Sequence, residues 1–265
     1  IRKCFIMEFN EKLQELRKLK GLTQQEVADS LYVSRTAISK WESRHKKCFL
    51  DSEKSPEEIL DYIRCMTLSE LIQHYKPAEA VGSTDIEICG IELDSRKCCR
   101  GSVFVAMRGT QTDGHEYIDK AIGMGAACIV CESMPENKVP DVTYVVYKNT
   151  TDIVGPLATT FYGEPSKRMK LIGITGTNGK TTIATTLYNI VRRMGIKAGL
   201  CSTVCNYIDG EAYPSTHTTP DAIRLNKMMR EMVDAGCQYC FMECSSHSIV
   251  QHRIDSIEFD GALFT

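Results

Sequence analysis

No stretch of this 265-residue chain is long and apolar. A helix that spans a bilayer needs about 20 consecutive apolar residues, and no run here approaches that, so no membrane span is expected. No signal peptide is legible. There is no internal repeat or low-complexity tract, which sets aside repeat arrays and biased segments. A large net charge is missing too, since the balance is only −2. That small number hides an asymmetry. Residues 1–50 carry 11 Lys/Arg against 6 Asp/Glu, a net of +5, and the remainder carries 21 against 28, a net of −7. A basic head on an acidic body points to two units with different partners. Hydrophobic residues at 43% and charged residues at 25% are ordinary for a soluble globular protein with a buried core. The length suits about two or three domains, and the expected compartment is the cytoplasm. The first residue is Ile1 rather than Met, so the true beginning is expected to lie upstream.

Cysteine is abundant, at 13 residues, and two C-x-x-C pairs occur, Cys128/Cys131 and Cys237/Cys240. Such spacing invites a zinc or redox reading. Both pairs lie in apolar strand-like runs, AACIVCE and CQYCFMEC, where residues three apart point to opposite faces. Reduced core thiols are the expectation.

The stretch that organises the rest is residues 171–187, LIGITGTNGKTTIATTL. Leu171-Ile172-Gly173-Ile174 reads as a strand and Gly176-Thr177-Asn178-Gly179 as a turn; Lys180-Thr181-Thr182 follow, and a helical pattern begins at Ile183. Glycines let backbone N–H groups point inward, and the following helix offers its positive end to a phosphate. In such a loop Lys180 reaches the β- and γ-phosphates of ATP and the Thr181 hydroxyl ligates Mg²⁺. The strict pattern G-x4-G-K-[ST] asks for glycine where the chain has Ile174, with Gly173 one place early. The reading is an ATP site; the plainer alternative is a glycine-rich turn that binds nothing.

Around this loop strands and helices alternate. Leu68, Leu71 and Ile72 form a helical stripe, and Ile86–Ile91, Val103–Met107, Ala127–Cys131 and Val142–Tyr147 read as strands. Helices are expected at Tyr117–Gly125 and Thr151–Tyr162, with a boundary at Gly163-Glu164-Pro165-Ser166. Beyond the loop come a strand at Ala198–Thr203, a polar excursion at Val204–Pro214, and a helix whose Leu225, Met228, Met229, Met232 and Val233 share one face. That Met stripe is expected to fill the core. Tyr239–Met242 is a strand with Glu243 at its carboxyl end, where open α/β sheets hold ligands. The fold class is α/β with largely parallel sheets.

The basic head differs. Phe9, Leu13, Leu16 and Leu19 have helical spacing, and Gly21 stops that helix. Thr23-Gln24-Gln25-Glu26 is a capping box for a second helix, and Ser34 caps a third from Arg35 to Glu42. The segment, down to SRTAISKWE, resembles the helix-turn-helix of Cro- and Xre-type repressors. The resemblance implies DNA as a partner, with Arg35, Thr36, Ser39 and Lys40 at the major groove and phosphates. A plain three-helix packing unit is the alternative. The family pattern dissolves after Trp41-Glu42, so residues 1–50 read as an incomplete helix-turn-helix and 51–65 as a linker.

From Met66 to Thr265 the chain resembles the first half of a MurE-type ligase, the UDP-N-acetylmuramoyl-tripeptide synthetase family. The resemblance rests on DSR at 94–96, VFVAMRGTQTDGHEYI at 103–118, GTNGKTT at 176–182, TTPD at 218–221 and MECSSHSIVQHR at 242–253. It implies an N-terminal α/β domain over 66–165 for the UDP-linked substrate and a truncated central ATP-binding domain over 166–265. It implies ATP-dependent activation of the D-glutamate carboxylate of UDP-MurNAc-L-Ala-D-Glu as an acyl phosphate, which a diamino acid (meso-diaminopimelate or L-lysine) then displaces. On that basis Gly176, Thr177, Asn178, Gly179, Lys180, Thr181 and Thr182 hold ATP, Lys180 and Glu243 are catalytic, and Thr181 and Glu243 hold Mg²⁺. Thr218, Thr219, Ser245, Gln251 and Arg253 contact the sugar-peptide, and Asp94, Ser95 and Arg96 the uridine nucleotide. Family members continue past the equivalent of Thr265 with a His, a carbamoylated lysine and a C-terminal domain, so a fragment incompetent by itself is expected. A DNA-binding regulator that senses ligand through a ligase-derived domain is the competing reading. A front piece without a role is a third.

Overall fold

The computed structural model describes residues 66–109, 112–214 and 219–265, together with Lys18 and residues 23–25. The chain divides into two units, Ile1–Cys65 and Met66–Thr265. The expected helix-turn-helix contacts Arg35, Thr36, Ser39 and Lys40 lie outside the described residues.

The second unit begins with a short ribbon, β1 (Met66–Thr67) antiparallel to β3 (Glu87–Ile88). Thr67 and Glu70 cap α1 (Leu68–Ile72) reciprocally, each side chain bonding the other's backbone. A five-stranded sheet follows in the order β2-β7-β6-β5-β4, made of β2 (Glu79–Val81), β4 (Gly90–Glu92), β5 (Ser102–Val105), β6 (Cys128–Cys131) and β7 (Thr143–Val146). Neighbours from β4 to β7 are parallel and β2 is antiparallel. The central strands are buried along their whole length, as continuous apolar runs covered on both faces should be. Val103, Val105, Cys128 and Val130 pack toward α1 and α3 (Thr150–Phe161), while Phe104, Ile129 and Cys131 pack toward α2 (Ile118–Gly123). Cys128 and Cys131 therefore take opposite faces, as strand alternation requires.

The second sheet runs β11-β10-β9-β12-β8-β13. Its parallel part is β9 (Ala198–Cys201), β12 (Tyr239–Glu243), β8 (Lys170–Thr175) and β13 (Gly261–Phe264). Helix α4 (Lys180–Arg193) covers one face through Ala184 and Tyr188, and α5 (Ala222–Asp234) covers the other through Leu225, Met229 and Met232. The methionine stripe is core filling. It comes close: a Cβ on Gly199 would fall 2.3 Å from Met232 Sδ. Ala222 and Ile223 of the same helix join the core of the first sheet, and buried Thr159 of α3 donates to Asn226 Oδ1 at 3.2 Å. The α3–α5 seam thus fastens the two sheets together.

Three expectations are corrected. The apolar run Ile86–Ile91 is two strands in different sheets, β3 and β4, separated at Cys89. Residues 204–214 are mainly a hairpin, β10 (Cys205–Ile208) and β11 (Glu211–Pro214), turned by Asp209 and Gly210 at φ 46° and 100°, an Asp-Gly turn that suits the strand twist. Cys237 precedes β12, in the turn after Gly236, so Cys237 and Cys240 pack into the same core instead of facing apart. Burial pushes the Cys131 thiol up to about 11 and Cys244 up to about 12, which suits inert core groups.

Candidate functional site

The carboxyl end of β8 opens into Gly176-Thr177-Asn178-Gly179, and α4 starts directly at Lys180, three residues before the expected Ile183. Ile174 stands where the strict pattern asks for glycine, yet it is fully buried against α4. The strand simply runs through it. The turn is made by Gly176 and Gly179, at φ 129° and 83°, angles that strain residues with a Cβ. Gly179 is the N-cap of α4 and brings no side-chain cap, so no side chain of its own blocks the helix's positive end. Beside it lies a cavity of about 370 Å³ walled by residues 176–181, Thr203, Glu243, Ser245, Ser246 and His247. Lys180 folds over the loop, donating from Nζ to the Gly176 carbonyl at 2.8 Å and toward the Thr177 carbonyl at 3.4 Å. Thr182 is exposed on α4 and does not line this cavity.

Glu243 ends β12, level with Ile174 of neighbouring β8. It is 1% exposed, and a buried carboxylate needs donors. It has them. Thr181 Oγ1 donates to Oε2 at 2.9 Å, Thr203 Oγ1 to Oε2 at 3.1 Å and Thr203 N to Oε1 at 2.9 Å. Three carboxyl-end elements of the sheet, β8 with its loop, β9 and β12, thus converge on one anionic group. Hydroxyl and carboxylate oxygens at this spacing suit a hard cation such as Mg²⁺, which takes one or two carboxylates and completes its shell with phosphates and water. Among the described residues no cluster of three or more His, Cys, Asp and Glu side chains offers a site for a softer metal.

The sugar-peptide candidates gather next to Glu243. Thr219 Oγ1 donates to the Glu243 carbonyl at 2.9 Å and accepts from Ser245 N at 3.5 Å, and Arg253 Nη1 donates to the Thr219 carbonyl at 2.6 Å. Arg253 Nη2 also bonds Gln251 Oε1. Ser245 is the N-cap of α6 (Ser246–Val250) and accepts from Ser248 N. Thr218 lies outside the described residues. Thr203 was not singled out from the sequence; its position at the end of a parallel strand was the only signal.

A second cavity, of about 500 Å³, surrounds Asp94, Ser95 and Arg96 and is completed by Leu93, Met107, Gly109, Thr112, Gly114, Tyr117 and Lys120. Asp94 accepts from Arg96 N at 3.0 Å and from the guanidinium at 2.9 and 2.8 Å. That guanidinium holds the Asp94 carboxyl down at about 2. Ser95 is buried. The facing loop is fastened by His115, whose Nδ1 bonds Asp113 Oδ1 at 2.6 Å while its Nε2 accepts from Glu132 N at 3.0 Å. An accepting Nε2 puts the proton of the neutral ring on Nδ1.

Residues 174–265 match the family described as the Mur ligase middle domain, and residues 87–162 match the Mur ligase family, catalytic domain. Both matched families are Mur ligase domains. A helix-turn-helix family also matches residues 13–47. Over 200 residues the chain is 55% identical to the UDP-N-acetylmuramoyl-L-alanyl-D-glutamate–2,6-diaminopimelate ligase of Phocaeicola vulgatus and 54% identical to that of Bacteroides thetaiotaomicron. The match covers 76% of this chain but 41% and 42% of those proteins, so the chain spans about two fifths of their length. A solved structure titled as a ligase of the same name superposes with a TM-score of 0.60 at 21% identity, over 76% of this chain and 40% of that one; it shares the fold. No helix among the described residues is long and apolar enough to cross a membrane.

Proposed function

We propose that this chain carries the substrate- and ATP-binding part of a peptidoglycan ligase that joins a diamino acid to UDP-MurNAc-L-Ala-D-Glu. The observation that carries the reading is the Thr181–Glu243 bond beside an uncapped helix end and Lys180. In this reading the loop N–H groups and the α4 amino end hold the triphosphate, and Lys180 leaves its loop carbonyls for the β- and γ-phosphates. A Mg²⁺ ion held by Thr181 and Glu243, when bound, neutralises charge on the phosphates. The D-glutamate carboxylate attacks the γ-phosphorus, ADP leaves, and the amino group of the diamino acid then displaces phosphate from the acyl carbon. Both steps crowd anionic oxygens at one point, so fixed dipoles and cations are what the protein supplies. Arg253 offers a planar guanidinium for a substrate carboxylate, with Thr219, Ser245 and Gln251 beside it; Thr218 is assigned to the same substrate by the family resemblance. Asp94, Ser95 and Arg96 take the uridine nucleotide in the second cavity.

The named relatives favour diaminopimelate over lysine as the amino acid joined. ATP and a nucleotide-linked substrate put the reaction in the cytoplasm. Calorimetric titration of this chain with ATP and Mg²⁺ tests the site. Lys180→Ala is expected to weaken binding at least about tenfold, the loss of one charge-assisted contact of about 1.5–3 kcal/mol; unchanged affinity would remove the phosphate loop from the assignment.

A second reading follows from the helix-turn-helix match at residues 13–47: the basic head binds DNA and the ligase-derived part reports ligand to it. Retention of Lys180, Thr181 and Glu243 supports the enzyme, because a sensor has no need of metal-binding groups.

A further inference from the structure

Two thiols meet at the base of the crossover that carries Asp94–Arg96. Cys89 lies between β3 and β4, and Cys99 follows the 3-10 turn Ser95–Lys97; their Sγ atoms are 3.9 Å apart. Both backbones are already held in place. Cys89 N donates to the Gly101 carbonyl at 2.9 Å, and Cys99 bonds Ser102 Oγ through both its N–H, at 3.1 Å, and its carbonyl, at 2.8 Å. Gly90 and Ser102, the next residues along, are register partners of the parallel β4–β5 pair. Bringing two sulfurs from 3.9 Å to the roughly 2.05 Å of a disulfide therefore asks for side-chain rotation against a fixed frame.

Access separates this pair from its equals. Cys201 and Cys240 are also 3.9 Å apart, but both are fully buried. Neighbouring Cys98 is 3% exposed, and burial pushes its thiol up to about 11. Cys99, by contrast, is exposed and Cys89 half-buried. Thiol exchange needs a reachable sulfur, so Cys99 is the point of entry.

We propose that Cys89 and Cys99 form a reversible thiol–disulfide couple that closes a covalent ring around the Asp94–Arg96 crossover. The oxidant is a low-molecular-weight disulfide. The Cys99 thiolate attacks one of its sulfurs, breaking that S–S bond and releasing one small thiol as a mixed disulfide forms on Cys99. The Cys89 thiol gives up its proton, attacks Cys99 Sγ and expels the second small thiol. Two protein thiols are oxidised, and one small disulfide is reduced to two thiols.

The test incubates the whole reduced chain with oxidised glutathione, followed by peptide mapping under non-reducing conditions and thermal melting. The expected result is a Cys89–Cys99 link and a melting temperature raised by about 5–10 °C, from closing a ring of 11 residues in the unfolded chain. Dithiothreitol should reverse both. Cys99→Ser should remove both, and Cys98→Ser should leave both intact. A stable glutathione adduct on Cys99 with Cys89 still reduced would overturn the proposal. So would a Cys89–Cys98 link, or preferential oxidation of half-buried Cys205. The outcome is read without nucleotide, so it stands apart from the assignment of the substrate cavity.

Discussion

Glu243 is asked to do two jobs, and two substitutions separate them. As a structural group it ties α4, β9 and the end of β12 together through Thr181 and Thr203. As a functional group, in the proposed reading, it supplies charge to the cavity beside Lys180. Glu243→Ala removes the acceptor of three hydrogen bonds. Bonds to a charged acceptor contribute about 1.5–3 kcal/mol each, but they are not additive, and Thr203 is exposed, so water can replace part of what is lost. A destabilisation of about 2 kcal/mol is expected, which for a unit of this size lowers the melting temperature by about 4–8 °C. Glu243→Gln keeps the shape. Its carbonyl can accept from Thr203 N, and its amide can donate to the hydroxyls of Thr181 and Thr203, which accept as readily as they donate. Its stability should stay within about 1 kcal/mol of the parent. The charge, however, is gone, and the Mg²⁺-dependent part of ATP affinity should fall about 10–100-fold, the range typical when a carboxylate supporting a metal is lost. Melting by circular dichroism reads the first job. Calorimetric titration with ATP, in Mg²⁺ and again in EDTA, reads the second. A Glu243→Gln protein with undiminished Mg²⁺ dependence would show that this carboxylate serves only the fold. One that melts as low as Glu243→Ala would show that its charge is structural.

Two further outcomes are expected. Because Arg96 depresses the Asp94 carboxyl to about 2, the pair's contribution is present above the ordinary carboxylate value and is lost as pH falls toward 2. With Arg96 73% exposed solvent screening leaves that contribution small, so the sharper reading is an NMR titration in which Arg96→Ala returns Asp94 toward its ordinary value; an unmoved Asp94 would refute the pairing. At the basic head, DNA binding should weaken steeply with added salt, and Arg35→Ala should reduce it. Binding indifferent to both would leave the enzyme reading alone.

What could be read from the chain depended on whether the signal was local. The Gly176–Thr181 loop and the methionine face of α5 each announce themselves within a few residues, and each lies where the spacing put it, whereas the Asp94-Ser95-Arg96 turn was picked out by the family resemblance. The β10–β11 hairpin carried its own local signal in Asp209-Gly210, masked by the polar residues on a strand that is exposed throughout. The break at Cys89 was harder to see: Gly90 stands beside it, but Ile88 and Ile91 are both fully buried, and local alternation does not say which sheet each half joins.

Thr203 shows the limit most clearly. Nothing in its neighbourhood separates it from other threonines of this chain, and the residue it serves is 40 positions away. The strand order β9-β12-β8 makes them partners: it sets the carboxyl end of β9 beside that of β12 and sets β12 beside the strand that feeds the phosphate loop. A parallel sheet therefore gathers its site from strand ends that are distant in sequence, one residue or two from each. The sequence could put Glu243 at the carboxyl end of its strand, the end at which open α/β sheets hold their ligands. Its donors could be named only once it was known which strands stand next to it.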